Sequence, residues 1–436
     1  MRPTLRAFAL FAAGIPLALA LILTDPALWP FAFGYLGFAA VITGYDALRT
    51  PRFQNFRCET DLPKMLCVGE GDTLSLRLTA PLNGPELSVT IACDTDDTIP
   101  TPPHRHERIS PGIPQEINVP LVPIRRGTAT VHCLWLRWSG PLRLIERRQI
   151  HRIDATIPVV PNIHAVHNAA LAISVRNALF GNKVQRQSGE GTEFDSMRDY
   201  MPGLDHRAID WKHSARHNRL VCKEFRTERN HQIILAFDTG HLMSTPLHGI
   251  PRLDHAINAG LMLGHASLRH GDRIGVFGFD AQTRVSAEPF GGIRAFPRLM
   301  QLSSSIDYHH EETNFTRGLM ELMTRLKRRS LIVLQTDFVD TITGELMVEN
   351  LQRLAARHLV IFVTMHDPHL HSIGDKRPHS LRDVSRTVIA DGFLRERRTV
   401  LERLRRVGIH CIDAPSHAVS AELLNRYIHI KRLELI

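Results

Sequence analysis

Five nearly continuous apolar runs in the C-terminal half place the strongest constraint on the fold of this 436-residue chain. They lie at 232–237, 273–279, 331–335, 358–363 and 409–412. The helical patterns between them lie at 254–270, 345–357 and 400–406. A strand that is apolar on both sides has to be covered on both sides, and alternation with helices is typical of a doubly wound, mostly parallel sheet. The sequence therefore predicts an α/β domain in this half.

A different pattern occupies residues 57–157. Thr73 to Leu78 alternates polar and apolar residues, and short apolar runs follow at 87–91 and 117–122. Prolines and glycines separate these runs, as turns do between short strands. The pattern predicts a small β-sandwich-like domain, and no catalytic motif is visible in it.

Two stretches near the N-terminus, at 7–23 and 27–45, carry no charge. Each approaches the roughly 20 apolar residues that cross a bilayer as a helix. Arg2 and Arg6 precede the first stretch and Arg49 follows the second, while the link between them has no basic residue. Because basic residues favour the cytoplasmic side, residues 1–48 are predicted to form a transmembrane hairpin of two helices. The alternative is a cleaved signal peptide followed by a core helix, although no Ala-x-Ala-like site ends the first stretch.

The chain is basic, with 53 Lys and Arg residues against 44 Asp and Glu residues. The basic residues are scattered and form no stripe or nucleic-acid module, so we expect an anionic membrane surface as partner and no nucleic acid. The six cysteines lack C-x-x-C spacing, as is usual for reduced thiols of a cytosolic domain. No P-loop or G-x-S-x-G motif is present, so the sequence predicts no enzyme of those classes.

Residues 189–216 interleave acids and bases with aromatic and apolar residues. A solvated charge run has few large apolar residues, so this segment is predicted to fold against the edge of a core. Three interpretations are open: a protein-docking face anchored by Trp, Tyr and Arg, a structural ion-pair network, or a hydrolytic site of Glu193, Asp195, Asp205 and Asp210. The candidate residues are Glu193, Arg198, Tyr200, Asp205, Arg207, Asp210, Trp211, Lys212 and Arg216.

This segment resembles the signature of a bacterial family known as domain of unknown function fifty-eight. The matching parts are the acidic glycine entry at 189–194, Arg-x-Tyr-x-x-Gly at 198–203, Asp-x-Arg-x-Ile-x-Trp at 205–211, and Ser-Ala-Arg at 214–216. Leu204 departs from the pattern, because the family has an acid directly after the glycine. The resemblance implies a membrane-anchored protein with a von Willebrand factor A-like domain, encoded beside a MoxR-type AAA+ ATPase.

A von Willebrand factor A-like domain implies a divalent cation at the carboxyl ends of its strands, held by an Asp-x-Ser-x-Ser motif, a distant Thr and a Thr-Asp pair. Asp238, Thr313 (or Thr316) and Asp337 match the first, distant and last positions. Gly240 and Leu242 stand where the two hydroxyls would be. The sequence therefore predicts a degenerate metal-ion-dependent adhesion site, with Mg²⁺ as the candidate cofactor. The alternative is that these acids cap strand ends and fix neighbouring loops.

Together these patterns predict three parts: transmembrane helices at 1–48, a β-rich domain at 57–157, and the signature segment with the α/β domain at 163–436. We expect an inner-membrane adaptor whose soluble domains lie in the cytoplasm. The family resemblance adds a MoxR-type AAA+ ATPase as partner in the assembly or activation of an unknown client protein. The alternative is a metal-dependent hydrolase that uses the carboxylates of residues 189–216.

Overall fold

A computed structural model of the chain describes residues 1–24, 29–53, 56–82, 86–162, 188–201, 209–217, 220–226, 231–338, 341–367, 370, 372–373, 380–433 and 435. The contacts divide the chain into two compact units, Met1–Asn162 and Ile163–Ile436. Each unit has its own sheets and its own buried core, and each is described separately.

The first unit contains short strands that form two sheets. In chain order they are β1 (Arg2–Pro3), β2 (Arg57–Asp61), β3 (Leu66–Cys67), β4 (Asp72–Thr79), β5 (Leu87–Thr95), β6 (Arg105–Ile109), β7 (Pro114–Leu121), β8 (Gly127–Ser139) and β9 (Ile145–Val160). One sheet has the order β1-β9-β8-β5-β6 with β3 beside β9, and the other has the order β2-β4-β7. Leu74, Leu76 and Leu78 alternate into the core from β4, as the period of two predicts. The β-rich character is confirmed, while the sandwich arrangement stays a prediction.

The apolar N-terminal stretches form helices α1 (Leu5–Ala12), α2 (Gly14–Thr24) and α3 (Trp29–Arg49). Among the described residues, one helix, Pro30–Arg49, is long and apolar enough to cross a membrane. The first stretch is broken at Ala13, where the sequence predicted a continuous span. Pro16 has no N–H to donate and its ring crowds the carbonyl four residues earlier, which accounts for the break between α1 and α2.

A buried carboxylate joins the end of α3 to the β8–β9 loop. Asp46 is 0% exposed, and its Oδ1 accepts a hydrogen bond from Leu142 N at 2.8 Å. Its Oδ2 accepts from Leu144 N at 2.8 Å and from Ile145 N at 2.9 Å. Gly140 is required beside it, because a Cβ there would lie 2.4 Å from Asp46 Oδ1. We call Asp46 together with residues 140–145 the Asp46 clip.

The N-terminus reaches the same loop. Thr4 N donates to Leu144 O at 2.9 Å, and Thr4 Oγ1 donates to Arg143 O at 2.7 Å. Strand β1 pairs with the start of β9 directly beside this contact. The residues that precede α1 and the last residues of α3 are therefore fixed to one loop of the β-rich sheets.

Replacing Asp46 by alanine should release the clip. Three backbone N–H groups would lose their acceptor, and each unsatisfied buried group costs about 1–3 kcal/mol. We expect Asp46→Ala to lower the local stability by at least about 3 kcal/mol, measured as hydrogen exchange of residues 140–145 in the full chain in lipid nanodiscs. Asp72→Ala is the matched control, because the exposed Asp72 carboxylate accepts a hydrogen bond from Thr73 N, and it should change exchange little. Equal effects of the two substitutions would contradict this account.

The second unit alternates strands and helices. Its strands are β10 (Ser188–Asp199), β11 (Val221–Arg226), β12 (Gln232–Asp238), β13 (Pro246–Leu247), β14 (Ile250–Pro251), β15 (Arg273–Phe279), β16 (Thr283–Gly291), β17 (Leu331–Gln335), β18 (Leu359–Met365) and β19 (His410–Ala414). Its helices are α4 (Trp211–His217), α5 (His241–Ser244), α6 (Arg252–Arg269), α7 (Phe296–Ser304), α8 (Phe315–Arg325), α9 (Thr341–Ala355), α10 (Leu381–Arg406) and α11 (Val419–Arg432). The strands predicted from the five apolar runs are confirmed.

The main sheet has the order β16-β15-β12-β17-β18-β19, and its strands are parallel except for the edge strand β16. Side chains of β12 alternate between two cores: Leu235 and Phe237 enter one, and Ile234 enters the other. Helices α6, α7 and α11 cover the first face, and α8, α9 and α10 cover the second. The predicted α/β sheet with helices on both faces is therefore confirmed.

Candidate functional site

Three carboxylates lie at the carboxyl ends of adjacent strands of the main sheet. Asp238 ends β12, Asp280 follows β15, and Asp337 follows β17 by two residues. All three side chains are buried. Because these strands are parallel neighbours, their carboxyl ends meet at the edge where open α/β sheets bind ligands. We call these three residues the rim.

Asp238, in the centre, is held by neutral donors. Its Oδ1 accepts hydrogen bonds from Thr313 Oγ1 at 2.5 Å and from Gly240 N at 2.9 Å. Its Oδ2 accepts a hydrogen bond from Thr336 Oγ1 at 2.5 Å. Burial raises the pKa of Asp238 to about 6, against the opposing effect of these hydrogen bonds, and the nearby Asp280 adds to the rise.

Asp337 is held by two arginines. Its Oδ2 lies 2.5 Å from an Nη of Arg252, and its Oδ1 lies 2.8 Å from an Nη of Arg397. Thr364 Oγ1 also donates to Asp337 Oδ1, at 2.9 Å. Arg397 reaches further, donating to Thr364 Oγ1 at 2.7 Å and to Asp413 Oδ1 at 3.1 Å. The Asp337 carboxylate is therefore neutralised by side chains of the chain itself.

Asp280 has an arginine of its own. Arg284 Nε donates to Asp280 Oδ2 at 2.7 Å, and an Nη of Arg284 donates to Glu311 Oε2 at 2.8 Å. Thr239 Oγ1 donates to the same Asp280 oxygen at 3.0 Å. Burial alone would raise the pKa of Asp280, but the hydrogen bond from Arg284 and those from Gln282 N and Thr239 lower it below its usual value. The two outer carboxylates of the rim are thus paired with cations, whereas the central one is not.

The structure brings together part of the predicted metal set. Thr313 and Thr336 both donate hydrogen bonds to Asp238. The alternative residue Thr316 instead accepts a hydrogen bond from Asn350. Mg²⁺ needs near-octahedral oxygen ligands at about 2.0–2.1 Å. The oxygens of the rim are already occupied by hydrogen-bond donors, and in the described parts of the chain no group of three or more His, Cys, Asp or Glu side chains is placed to hold a metal. The residues present do not fit that coordination set.

Residues 189–216 contribute a second candidate site around the antiparallel pair β10–β11. Asp210 accepts hydrogen bonds through Oδ1 from Lys212 N at 3.0 Å and His213 N at 3.2 Å. Its Oδ2 lies 3.1 Å from His213 Nδ1. These contacts make Asp210 the N-cap of α4. Ser214 Oγ, which accepts from Val221 N at 2.9 Å, ties the helix to β11.

The residues beside this buried frame are exposed. Trp211 is 68% exposed, and Lys212 and Arg216 on the same short helix are exposed too. Met201 and Leu220 are also exposed, and they adjoin the backbone hydrogen bond from Tyr200 N to Leu220 O. We call Met201, Trp211, Lys212, Arg216 and Leu220 the tryptophan surface.

The other predicted residues of this segment are only partly described. The backbones of Glu193 and Arg198 lie in β10, opposite Arg226 and Cys222 of β11. The side chains of Glu193, Asp195 and Arg198 lie outside the described residues, as do Asp205 and Arg207 altogether. The predicted ion-pair network and the hydrolytic arrangement therefore stay predictions.

Sequence reasoning missed the arginines of the rim. Asp280 follows an apolar run just as Asp238 does, so the same rule would have found it. Arg397 lies 60 residues after Asp337, within a helix whose charged residues are mostly exposed, and no local pattern distinguishes it from its neighbours. The pairing of Arg397 with Asp337 becomes visible only in the folded structure.

A family model described as "Protein of unknown function DUF58" matches residues 196–399. This part of the chain is thus similar to a DUF58 domain. It is also 29% identical over 118 residues to the uncharacterized protein YeaD of Bacillus subtilis (strain 168). That match covers 27% of this chain and 29% of YeaD, so the chain spans less than a third of that relative.

Solved structures with similarity to this chain include the conserved hypothetical protein BatB from Bacteroides thetaiotaomicron, at 16% identity and a TM-score of 0.31. The match covers 46% of this chain and 99% of BatB. An aerotolerance-related membrane protein from Bacteroides fragilis matches at 18% identity and a TM-score of 0.24, over 31% of this chain and 67% of its own. The vWF domain of the pilus tip protein Mfa5 from Porphyromonas gingivalis matches at 20% identity and a TM-score of 0.21, over 25% of this chain and 38% of the Mfa5 chain.

The raised pKa of Asp238 predicts that the stability of the second unit depends on pH. A rise from 3.8 in the unfolded chain to about 6 in the fold corresponds to about 3 kcal/mol. The stabilising contribution of this carboxyl is fully present below pH 3.8, and it is lost as the pH rises through about 6.

Asp238→Asn should remove this dependence, because the amide stays neutral and can still accept from Gly240 N and exchange a hydrogen bond with a threonine hydroxyl. We expect β12 of the variant to be more protected than wild type near pH 7 and no more protected near pH 4, measured by hydrogen exchange corrected for intrinsic rates. A difference that grows toward low pH would show that the sign is wrong.

Gly240 offers a test of the packing around Asp238. A Cβ at this position would lie 2.2 Å from Thr313 Oγ1, so Gly240→Ala has to displace the hydroxyl that holds Asp238. We expect a loss of about 1–3 kcal/mol in the stability of this unit, measured by denaturant unfolding. Gly392→Ala is the matched control, because a Cβ there meets nothing within 4 Å in helix α10, and it should be neutral or stabilising. Similar losses in both variants would contradict the close contact at Gly240.

Proposed function

We propose that this protein is a membrane-tethered scaffold that binds other proteins through the tryptophan surface. The observation that carries the proposal is the 68% exposure of Trp211 on a helix that Asp210 and Ser214 fix to β11. An exposed tryptophan on a fixed frame loses little conformational freedom on binding, and Trp and Arg dominate the energetics of protein interfaces. Trp211 and Arg216, both exposed on α4, are residues of these two types.

Asp210 helps to separate the alternatives for residues 189–216. A hydrolytic carboxylate needs a free oxygen that can reach a substrate or a metal-bound water. Both Asp210 oxygens are instead engaged by the backbone and side chain at the start of α4. A purely structural network explains Asp210, but it gives no reason for the exposure of Trp211, Met201 and Leu220. We therefore favour docking over the structural network and over the metal-dependent hydrolase.

The helices at the N-terminus support membrane tethering. Phe31, Phe38 and Val41 of α3 are exposed, although α3 packs against α2. Large apolar side chains that face away from the protein are stable in lipid and costly in water. The arginines at 49, 52 and 57 follow α3, and the preference of basic residues for the cytoplasmic side places the soluble parts in the cytoplasm in this proposal.

The identity of the partner rests on the family resemblance. Proteins of this kind are encoded beside MoxR-type AAA+ ATPases, so the proposed scaffold works with such an ATPase on a client protein that is still to be identified. The chain itself has no P-loop motif, so ATP hydrolysis is assigned to the partner.

Trp211→Ala tests the proposed surface. The measurement is capture by a photo-crosslinking residue in place of Ala215, which is exposed on α4 four positions after Trp211, in the full chain in native membranes, followed by identification of the captured proteins. Because truncation of an anchor residue costs about 2 kcal/mol or more, we expect capture of the specific partner to fall about 30-fold. Recovery of a MoxR-type ATPase from the wild-type chain would support the proposed partner.

Leu381→Ala is the matched control, because Leu381 is 88% exposed at the start of α10, away from residues 189–216 in sequence. This variant should capture the same proteins as wild type. Capture that Trp211→Ala leaves unchanged would exclude the tryptophan surface as the docking site. Capture without any ATPase would count against the proposed partner and leave the surface in place.

A further inference from the structure

Two arginines place positive charge beside the rim, where a von Willebrand factor A-like domain would have a metal cation. Arg252 and Arg397 both contact Asp337, and each arginine side chain is only 15% exposed. A buried carboxylate is stable only when a counter-charge and hydrogen bonds replace its water shell. Two guanidinium groups provide both for Asp337.

Arg397 joins the ends of three adjacent strands. It contacts Asp337 after β17, Thr364 in β18 and Asp413 in β19. Burial alone would lower the pKa of Arg397, but the carboxylates of Asp337 and Asp413 raise it above its usual value, so the group stays charged. The planar fork satisfies several oxygens at once, as a multivalent cation does, and a lysine would not reproduce this geometry.

The space at Asp238 is also filled. Thr313 Oγ1 lies where a side chain at position 240 would begin, and it donates to Asp238 directly. Thr336 occupies the other carboxylate oxygen. Thr313 and Thr336 therefore each occupy one oxygen of the Asp238 carboxylate.

From these contacts we propose that the guanidinium groups of Arg252 and Arg397, together with the hydroxyls of Thr313 and Thr336, replace the divalent cation at the rim, so that this domain folds and works without metal. Gly240 and Leu242 offer no hydroxyl to a cation, and the two arginines neutralise Asp337 without one. Binding by this protein is accordingly insensitive to chelators, whatever partner it takes.

The replacement of the cation by arginines can be tested by Mn²⁺ binding to the full chain in nanodiscs. Electron paramagnetic resonance measures the bound Mn²⁺, and hydrogen exchange of β17 is the second readout. Wild type should bind no Mn²⁺ that depends on Asp337, and EDTA should leave the exchange of β17 unchanged. Arg397→Gln removes the charge at similar size and leaves Asp337 and Asp413 under-compensated. We expect about 100-fold faster exchange of β17 in this variant, with Mn²⁺ bound and part of the protection restored.

Arg395→Gln is the matched control, because Arg395 pairs with Asp391 on the exposed side of the same helix. It should behave as wild type with and without Mn²⁺. If Arg397→Gln fails to fold, Arg252→Gln removes the other guanidinium from Asp337, and this variant should bind Mn²⁺ in the same way. A Mn²⁺ ion on wild type that Asp337→Asn abolishes would overturn the proposal. Wild-type protection in Arg397→Gln, or the absence of Mn²⁺ from that folded variant, would overturn it as well.

Discussion

The ion pairs of Asp337 with Arg252 and Arg397 hold the second unit together at the carboxyl edge of its sheet. Arg252 begins α6, which covers one face, and Arg397 lies in α10, which covers the other. The Asp337 carboxylate, which follows β17, thus contacts helices of both layers. Breaking a buried pair of this kind leaves an uncompensated charge and costs about 3–5 kcal/mol. The positions of α6 and α10 over the sheet therefore depend on a few polar contacts as well as on their apolar faces.

The two candidate sites of this unit have opposite characters. The rim is buried and its carboxylates are saturated with donors from the chain, which suits a structural role. Around β10–β11 the polar groups are buried while Trp211 remains exposed, which suits recognition. The docking surface that we propose lies in the segment at 189–216 and not at the rim, because a function has to be argued from the chemistry of a site and not from the fold.

The sequence was informative wherever burial alone determines structure. The main-sheet strands β12, β15, β17, β18 and β19 were predicted because each is apolar on both sides, as strands in parallel sheets are. Helix α10 was predicted only at 400–406, because its N-terminal part is charged and mostly exposed and has no apolar stripe. The break between α1 and α2 was missed although Pro16 signals it. The arginines of the rim could not be predicted, because their partners are distant in sequence and meet only in the finished fold.

The Asp46 clip has a mechanical consequence. A carboxylate in the last turns of α3 binds the loop between β8 and β9, and Thr4 binds the same loop just before α1. These two contacts restrict the rotation of the apolar helices relative to the β-rich sheets that follow them. In a bilayer, a change in the tilt of those helices, whether from lipid thickness or from a neighbouring helix, would therefore also reorient the attached sheets.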